Sequence, residues 1–315
     1  MSARHDDPHR LRDLQPVLRL RQAVLSAVRA FFVERDFLEV TTPVRIPTPA
    51  LEDYIDALPS GDAYLRTSPE LHMKRLLAAG HPRLFQIGPC FRAGESGRMH
   101  LTEFTMLEWY RLEAGYRQIL DDTVALVRHC AQSALGRTTC RFRERDIDLA
   151  APWDILGVDE AFRTHAGEGA AAAAAGGRFE TLLVERVEPH LGGERPTVLI
   201  DYPLACGALA KRKPDAPDWV ERWELYMAGL EVVNACSELG DAPEQRRRFE
   251  ATARLRAAEG RPVYPIDEPF MAALERGLPA MAGAALGVDR LLMVFADAGC
   301  IQDVVAFPAG ADPAL

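Results

Sequence analysis

The chain has 315 residues, with 37 lysines and arginines against 46 aspartates and glutamates, for a formal charge of −9. At 48% hydrophobic and 26% charged residues it is no disordered chain, and it is long enough for one large α/β core or two small ones. The acidic balance disfavours unspecific nucleic-acid binding, which rests on counterion release by clustered lysine and arginine.

Six cysteines (Cys90, Cys130, Cys140, Cys206, Cys236 and Cys300) contain no C-x-x-C pair. Neither a zinc site nor a disulfide framework is expected, and the thiols read as reduced, buried small hydrophobes. The polar start MSARHDDPHR lacks the apolar stretch of a signal peptide, and no window reaches about 18 apolar residues. This predicts a cytoplasmic protein with no membrane partner.

Residues 1–16 read as a polar tail. Val17, Leu20, Val24, Val28 and Phe31 then mark one face of an amphipathic helix running to about Asp36. FLEVTTP turns β-branched and ends at Pro43, which cannot donate to a ladder. Ser68–Gly80 predicts a short helix, with Ser68 at the N-cap, Pro69 at the first helical position and Glu70 in the first turn. Leu84–Ala93 and Glu103–Leu112 predict an antiparallel strand pair across a long polar loop. Helices follow from about Arg117 to Ala134, around Gly157 to Ala166, and from Phe179 to His190. Between the last two, the alanine-rich Gly167–Gly177 is either a helix between glycines or a mobile surface insertion, and carries no chemistry. Thr197–Tyr202 and Trp223–Val233 predict strands, Arg246–Gly260 a surface helix, and the stretch from Gly283 a small-residue strand or turn entering an apolar helix.

Four clusters carry candidate chemistry, each with a plain structural alternative. Arg92 and Glu95 follow one strand of the pair, while Glu108 and Tyr110 share a face of the other. A guanidinium and a carboxylate there suit an anion and an amine, or form a simple cross-strand ion pair. In WELYMAGLEVVNACSEL, Glu231 and Glu238 interrupt an apolar run; such carboxylates suit Mg²⁺ with nucleotide phosphates, or are one buried ion pair and one surface glutamate. Their seven-residue separation has odd parity, so meeting one metal requires a bulge between them. GAALGVDR offers close glycines and Arg290 for a phosphate, or an ordinary helix start. Pro69–Glu70 reads equally as helix capping.

Taken in order, FLEVTTP, FRAGESGRMHLTEFTMLEWY and GAALGVDR resemble motifs 1, 2 and 3 of a class II aminoacyl-tRNA synthetase catalytic domain of the lysyl type, over residues 17 to 308. About sixteen residues precede this part, where a lysyl-tRNA synthetase carries an anticodon-binding β-barrel. Together with FTMLEWYR, PID and ALGVDRL, that arrangement resembles the stand-alone synthetase paralogues that ligate (R)-β-lysine to elongation factor P. The resemblance implies an α+β fold, a single domain over 17–315 with an antiparallel sheet flanked by helices. It also implies a homodimer through the motif 1 helix and strand, and no tRNA.

The implied chemistry has two steps. A carboxylate attacks the α-phosphate of ATP to give an aminoacyl-adenylate and pyrophosphate, and the ε-amine of a protein lysine then attacks the acyl carbon. By resemblance Arg92 binds the α-phosphate and substrate carboxylate, and Arg290 the γ-phosphate. Gly94, Glu95, Leu101, Phe104, Glu231, Val232 and Gly287 complete the ATP site. Glu231 and Glu238 hold Mg²⁺, with Glu238 also near the amino acid. Ser68, Pro69 and Glu70 bind the amino acid, while Glu108 and Tyr110 receive its distal amine. Ala285 stands where lysyl-tRNA synthetases have glycine, a methyl that reshapes the pocket floor toward β-lysine. Four positions depart from the family: Gly94 for a glutamate, Leu101 for an asparagine, and Ala235 and Cys236 for Gly-Phe or Gly-Tyr. They keep open a related ligase loading α-lysine or another amino acid onto a different acceptor, and a catalytically silent regulator.

Overall fold

The computed structural model describes residues 8–308. Its elements are, in order, α1 (Pro8–Asp13), α2 (Gln15–Val33), β1 (Leu38–Glu39), β2 (Arg45–Ile46), β3 (Pro59–Ser60), β4 (Ala63–Leu65) and α3 (Glu70–Ala78). β5 (Arg83–Phe91), β6 (Glu103–Leu112), α4 (Tyr116–Leu135), β7 (Thr139–Phe142), β8 (Arg145–Asp148) and β9 (Asp154–Gly157) come next. After α5 (Val158–His165), α6 (Ala170–Ala175), α7 (Phe179–Leu182) and tight turns to His190 come β10 (Thr197–Pro203), β11 (Arg212–Lys213), β12 (Ala216–Met227) and β13 (Leu230–Ser237). The chain closes with α8 (Ala242–Ala258), α9 (Glu268–Glu275), β14 (Met281–Gly287) and α10 (Val288–Ala296).

Nine strands form one sheet in the order β1-β5-β6-β14-β13-β12-β10-β9, with β11 beside β12. The expected antiparallel sheet is parallel at its two ends, where β1 pairs β5 and β9 pairs β10. Helices flank it. On one face α2 lays down Val24, Ala27, Val28, Phe31 and Phe32, buried with residues of α4 and the sheet. Phe32 stacks on Phe85 with ring centroids 4.9 Å apart. The period-2 alternation of β6 sends Leu107 and Trp109 into this core and turns Glu108 and Tyr110 to the opposite face.

Several expectations need correction. The tail is helical from Pro8, and Arg10 donates to the carbonyls of Gln302, Val305 and Ala306, so this end is tied to the domain. Residues 1–7 lie outside the described part. The strand read over Trp223–Val233 is instead a hairpin of β12 and β13 turning at Ala228 and Gly229, both at positive φ (47° and 72°) as a tight hairpin turn requires. The surface helix α8 buries Arg256 completely. The alanine-rich segment is the helix α6, with Ala170 and Ala173 buried against the core under β10. Of the six free cysteines, Cys90, Cys130 and Cys140 are buried, but Cys206 and Cys236 face a cavity. Among the described residues no helix is long and apolar enough to cross a membrane.

Candidate active site

The face of the sheet away from α2 and α4 floors a cavity of about 510 Å³. Every candidate residue except Pro69 and Gly94 lines it, and those two shape the backbone beneath. Pro69 precedes the first turn of α3, and Gly94, at φ 77°, makes the turn that carries Glu95 into the cavity. A carboxylate therefore reaches the cavity from position 95, one residue beyond Gly94.

One end of the cavity is acidic. The N-cap of α3 is Pro69 rather than Ser68, with Glu70 its first residue; one residue further out, the Ser68 hydroxyl accepts the Glu70 amide at 2.9 Å and donates to Glu108 at 2.6 Å, so it both steadies the helix start and orients a carboxylate. Tyr110 donates to the other Glu108 oxygen at 2.8 Å. Gly283 lies under that tyrosine, and a Cβ there would collide with its ring. Beneath the floor, Lys74 pairs with both Glu70 and Glu238. Sequence reading missed Lys74; its spacing of four from Glu70 on a predicted helix was the available signal.

Two of these carboxyls thus pair with one buried ammonium and Glu108 stands beside them, so with all three ionised this end lacks two positive charges. Burial raises Glu108 to about 8, with Glu70 adding repulsion and the two hydroxyl donors pulling back. Burial also raises Glu238 to about 7, against the pull of Lys74. Burial works against the Lys74 ammonium as well, but Glu238 and Glu70 hold it charged. Ala285, on β14 opposite both Glu108 and Asn234, contributes its methyl to this floor.

The other end presents two guanidinium groups. Arg92 lies over the Phe104 ring at 5.2 Å, with Glu95 at 3.7 Å, and its buried Nε has no hydrogen-bond partner among the described residues. A buried donor left unpaired costs free energy, so a fork aimed into a cavity is suited to an incoming anion. Arg290 extends from the first turn of α10, just past Gly287. It donates to the carbonyl of Glu231 at 2.9 Å and its carboxylate at 3.0 Å, and to His100 Nε2 at 2.6 Å. A guanidinium can only donate, so His100 is neutral with its proton on Nδ1, and burial together with Arg290 lowers its pKa accordingly. Leu101 is buried in the wall beside it.

The bulge required between Glu231 and Glu238 is present. Pairing steps from Leu225 opposite Val233 to Tyr226 opposite Glu231, leaving Val232 as the extra residue. Asn234, Cys236 and Glu238 face the cavity by alternation, and the bulge brings Glu231 onto that face as well. The two glutamates nevertheless do not converge on one ion. Seven residues of strand separate them by roughly 20 Å at about 3.3 Å per residue. Glu238 is committed to Lys74, and Glu231 to Arg290.

Burial would raise Glu231, but Arg290, Arg222 and Arg92 bring it below its ordinary value. Its acidic neighbour is Glu224, across the hairpin, which accepts from Tyr202, Tyr226 and Arg222 at 2.6 Å each and is raised by burial. Sequence reading passed over Glu224, though it lies seven residues before Glu231 across the same turn. Among the described residues no three His, Cys, Asp or Glu side chains are arranged to hold a metal. Mg²⁺ is commonly held by one or two carboxylates plus substrate phosphates, and Glu224 with Glu231 fits that need.

A sequence profile of class II tRNA synthetases (D, K and N) matches residues 1–311. The chain is 40% identical over 310 residues to the elongation factor P–(R)-β-lysine ligase of Proteus mirabilis, covering 90% of this chain and 92% of that protein. It is 39% identical over 315 residues to the ligase of the same name from Klebsiella pneumoniae, covering 93% and 94%. It is also 38% identical over 323 residues to the lysine–tRNA ligase of Moorella thermoacetica, covering 94% of this chain but 65% of that longer protein.

Proposed function

Because the chain belongs to the class II tRNA synthetases (D, K and N), a ligase family, we propose that it activates (R)-β-lysine with ATP and transfers it to a lysine ε-amine of elongation factor P. The observation that carries this reading is the charge count at the acidic end. Once ionised, Glu70, Glu108 and Glu238 against Lys74 leave two uncompensated negative charges, which match the two ammonium groups of a diamino acid, and those ammonium groups favour the ionised forms of the raised Glu108 and Glu238. A neutral amino acid would leave one carboxylate unpaired, and buried unpaired groups are what discriminate strongly.

The diamino acid's carboxylate then points toward Arg92, which holds it against the α-phosphate while Arg290 takes the γ-phosphate. Positioning and charge neutralisation carry such a displacement, so no nucleophilic serine, cysteine or histidine is needed. Glu224 and Glu231 would hold Mg²⁺, which screens the phosphate charge from these carboxylates. Ala285 and the match to two β-lysine ligases favour β-lysine; the equal likeness to lysine–tRNA ligases supports α-lysine, with tRNA as acceptor, as the second reading. The exposed apolar Val33 and Leu38, at the end of α2 and on the edge strand β1, suit a homodimer contact, and a cytoplasmic location accords with these substrates.

The test is amino-acid-dependent ATP–pyrophosphate exchange with (R)-β-lysine, α-lysine and a neutral amino acid under Mg²⁺. Exchange should be fastest with (R)-β-lysine. Preference for α-lysine moves the assignment to the second reading, and no exchange from folded protein makes the chain a silent paralogue.

A further inference from the structure

A third wall of the cavity holds none of the residues assigned above to activation. On one side stands the loop of residues 50–57, and on the other the segment from α6 to α7. The loop is clamped from below. Arg256 of α8 donates to the carbonyls of Glu52 at 2.8 Å and Ile55 at 3.0 Å, and pairs with Asp56. Arg261 donates to the carbonyls of Asp53 at 3.0 Å and Tyr54 at 2.7 Å. The Ala93 amide donates to the Asp56 carbonyl at 2.7 Å, which fixes the loop to the residue following Arg92.

This wall is acidic. Glu52, Asp53 and Glu180 line it, with exposed Tyr54 at the rim. Asp53 accepts the Thr252 hydroxyl at 2.7 Å, whereas the carboxylates of Glu52 and Glu180 make no hydrogen bond or ion pair among the described residues. The cation nearby, Arg222, is committed to Glu224 and to the Cys206 carbonyl, each at 2.6 Å. Opposite the loop, Ala174 and Gly177 line the cavity with nothing past Cβ, beside the longer Phe179 and Glu180. The low-complexity segment thus shapes the wall.

Glu52 lines the cavity together with Arg92 of the nucleotide end and Glu70 of the amino-acid end, on a loop tied at Asp56 to the residue after Arg92. The charges acting on it are those of Arg92 from the nucleotide end, Glu70 from the amino-acid end, Arg222 and Asp53. A bound amino acid's carboxyl meets the α-phosphate between Arg92 and Glu70. We propose that the acidic wall is the path by which the acceptor's protonated amine reaches the acyl group, and that Glu52 takes its proton there. This rests on the reading above, in which an aminoacyl-adenylate is the donor.

The ammonium gives a proton to the Glu52 carboxylate, leaving a neutral amine and a carboxylic acid. The amine nitrogen attacks the acyl carbon and the C–N bond forms. The bond from acyl carbon to phosphate oxygen breaks, and AMP leaves with the electron pair. The remaining excess proton on nitrogen passes to water. The diamino acid's own ammonium groups are already matched at the acidic end, so a second acidic surface is left for another cation. Low-dielectric walls of one sign concentrate the opposite charge in a cleft. Burial raises Glu52 to about 7 against the pull of Arg92, and raises Glu180, so a base near neutrality lines the cavity.

The test separates the half-reactions. Enzyme loaded with (R)-β-lysine and ATP is chased either with elongation factor P, whose lysine arrives charged, or with hydroxylamine, which is neutral at pH 7. Glu52→Gln should slow transfer to elongation factor P by about 10²-fold and the hydroxylamine chase by less than about 3-fold, as expected on removing a general base. Glu52→Asp should recover part of the transfer, and the glutamine variant should lose the limb of the pH–rate profile near 7. Glu180→Lys, at the exposed rim, should raise KM for elongation factor P and leave the hydroxylamine chase in place. Equal slowing of both chases, normal transfer by Glu52→Gln, or a raised KM for (R)-β-lysine with normal transfer would each overturn the proposal. A wild-type protein that forms no adenylate overturns both readings, whereas one that forms it and transfers normally without Glu52 overturns this one alone.

Discussion

Lys74 supplies the sharpest test of the acidic end, because it is a buried cation whose worth depends on two buried carboxylates. Lys74→Met keeps the volume and removes the charge. Glu238 is the deeper partner, 2% exposed against 17% for Glu70, so it sets the size of the effect. Breaking a buried pair by removing one partner costs about 3–5 kcal/mol. The stranded carboxyl can instead take up a proton, which limits the loss. From its folded value of about 7, that uptake costs roughly 1.4 kcal/mol at pH 8 beyond what the unaltered protein already bears, and almost nothing at pH 5.

The sign follows from the direction of the shift. Glu238 is already raised in the folded protein, and loss of Lys74 raises it further. An acid raised in the folded state costs stability once pH climbs past its unfolded value, so the penalty grows from pH 5 to pH 8. Urea unfolding of the variant should therefore show almost no loss at pH 5 and about 1–2 kcal/mol at pH 8. Adding Glu238→Gln should return much of the loss at pH 8, since the stranded charge is gone. A loss of under about 1 kcal/mol at both pH values, or a larger loss at pH 5, would refute the buried-pair account.

Arg92→Ala should lower adenylate formation by about 10²–10³-fold in pyrophosphate exchange, and unchanged exchange would remove Arg92 from the α-phosphate. Ala285→Gly should shift the ratio of kcat/KM for (R)-β-lysine over α-lysine toward α-lysine by about 10-fold, the size of one methyl in a pocket; an unmoved ratio would exclude this methyl as a determinant. Diamino-acid binding measured by calorimetry should tighten as pH rises from 6 to 8.5, because Glu238 at about 7 and Glu108 at about 8 ionise across that span. Binding that weakens with pH would show that the neutral carboxyls are the binding forms. Gly283→Ala should raise the amino-acid KM by displacing the Tyr110 ring, with ATP KM little changed; equal changes in both would point to a general loss of fold.

Much of the chain's local organisation was legible in one dimension. The strand Glu103–Leu112 has the bounds read for it, α2 buries the face its apolar spacing marked, and α4 covers the helix read from about Arg117 to Ala134. Such patterns are readable because side-chain direction repeats every 2 or 3.6 residues, a property of the backbone alone. The hairpin between β12 and β13 was not legible, because Ala228 at positive φ carries no usual turn signature; only Gly229 beside it does. The helical start from Pro8 escaped for another reason. Its ties run from Arg10 to carbonyls nearly three hundred residues away, and composition there is polar throughout.

By itself, then, the sequence determined the order of the three motifs, the strands and helices that bear them, and the set of charged residues from which the cavity is built. Only the tertiary structure decided which of those charges share a space. Placing β14 between β6 and β13 sets Ala285 opposite both Glu108 and Asn234. The bulge at Val232 turns Glu231 toward Arg290 and Glu224, while Glu238 goes to Lys74. The clamp of Arg256 and Arg261 holds the loop on which Glu52 lines the cavity with Arg92 and Glu70. A carboxylate's chemistry depends on burial and on charges within a few ångströms, and those neighbours are set by strand order and loop anchoring across more than a hundred residues of chain.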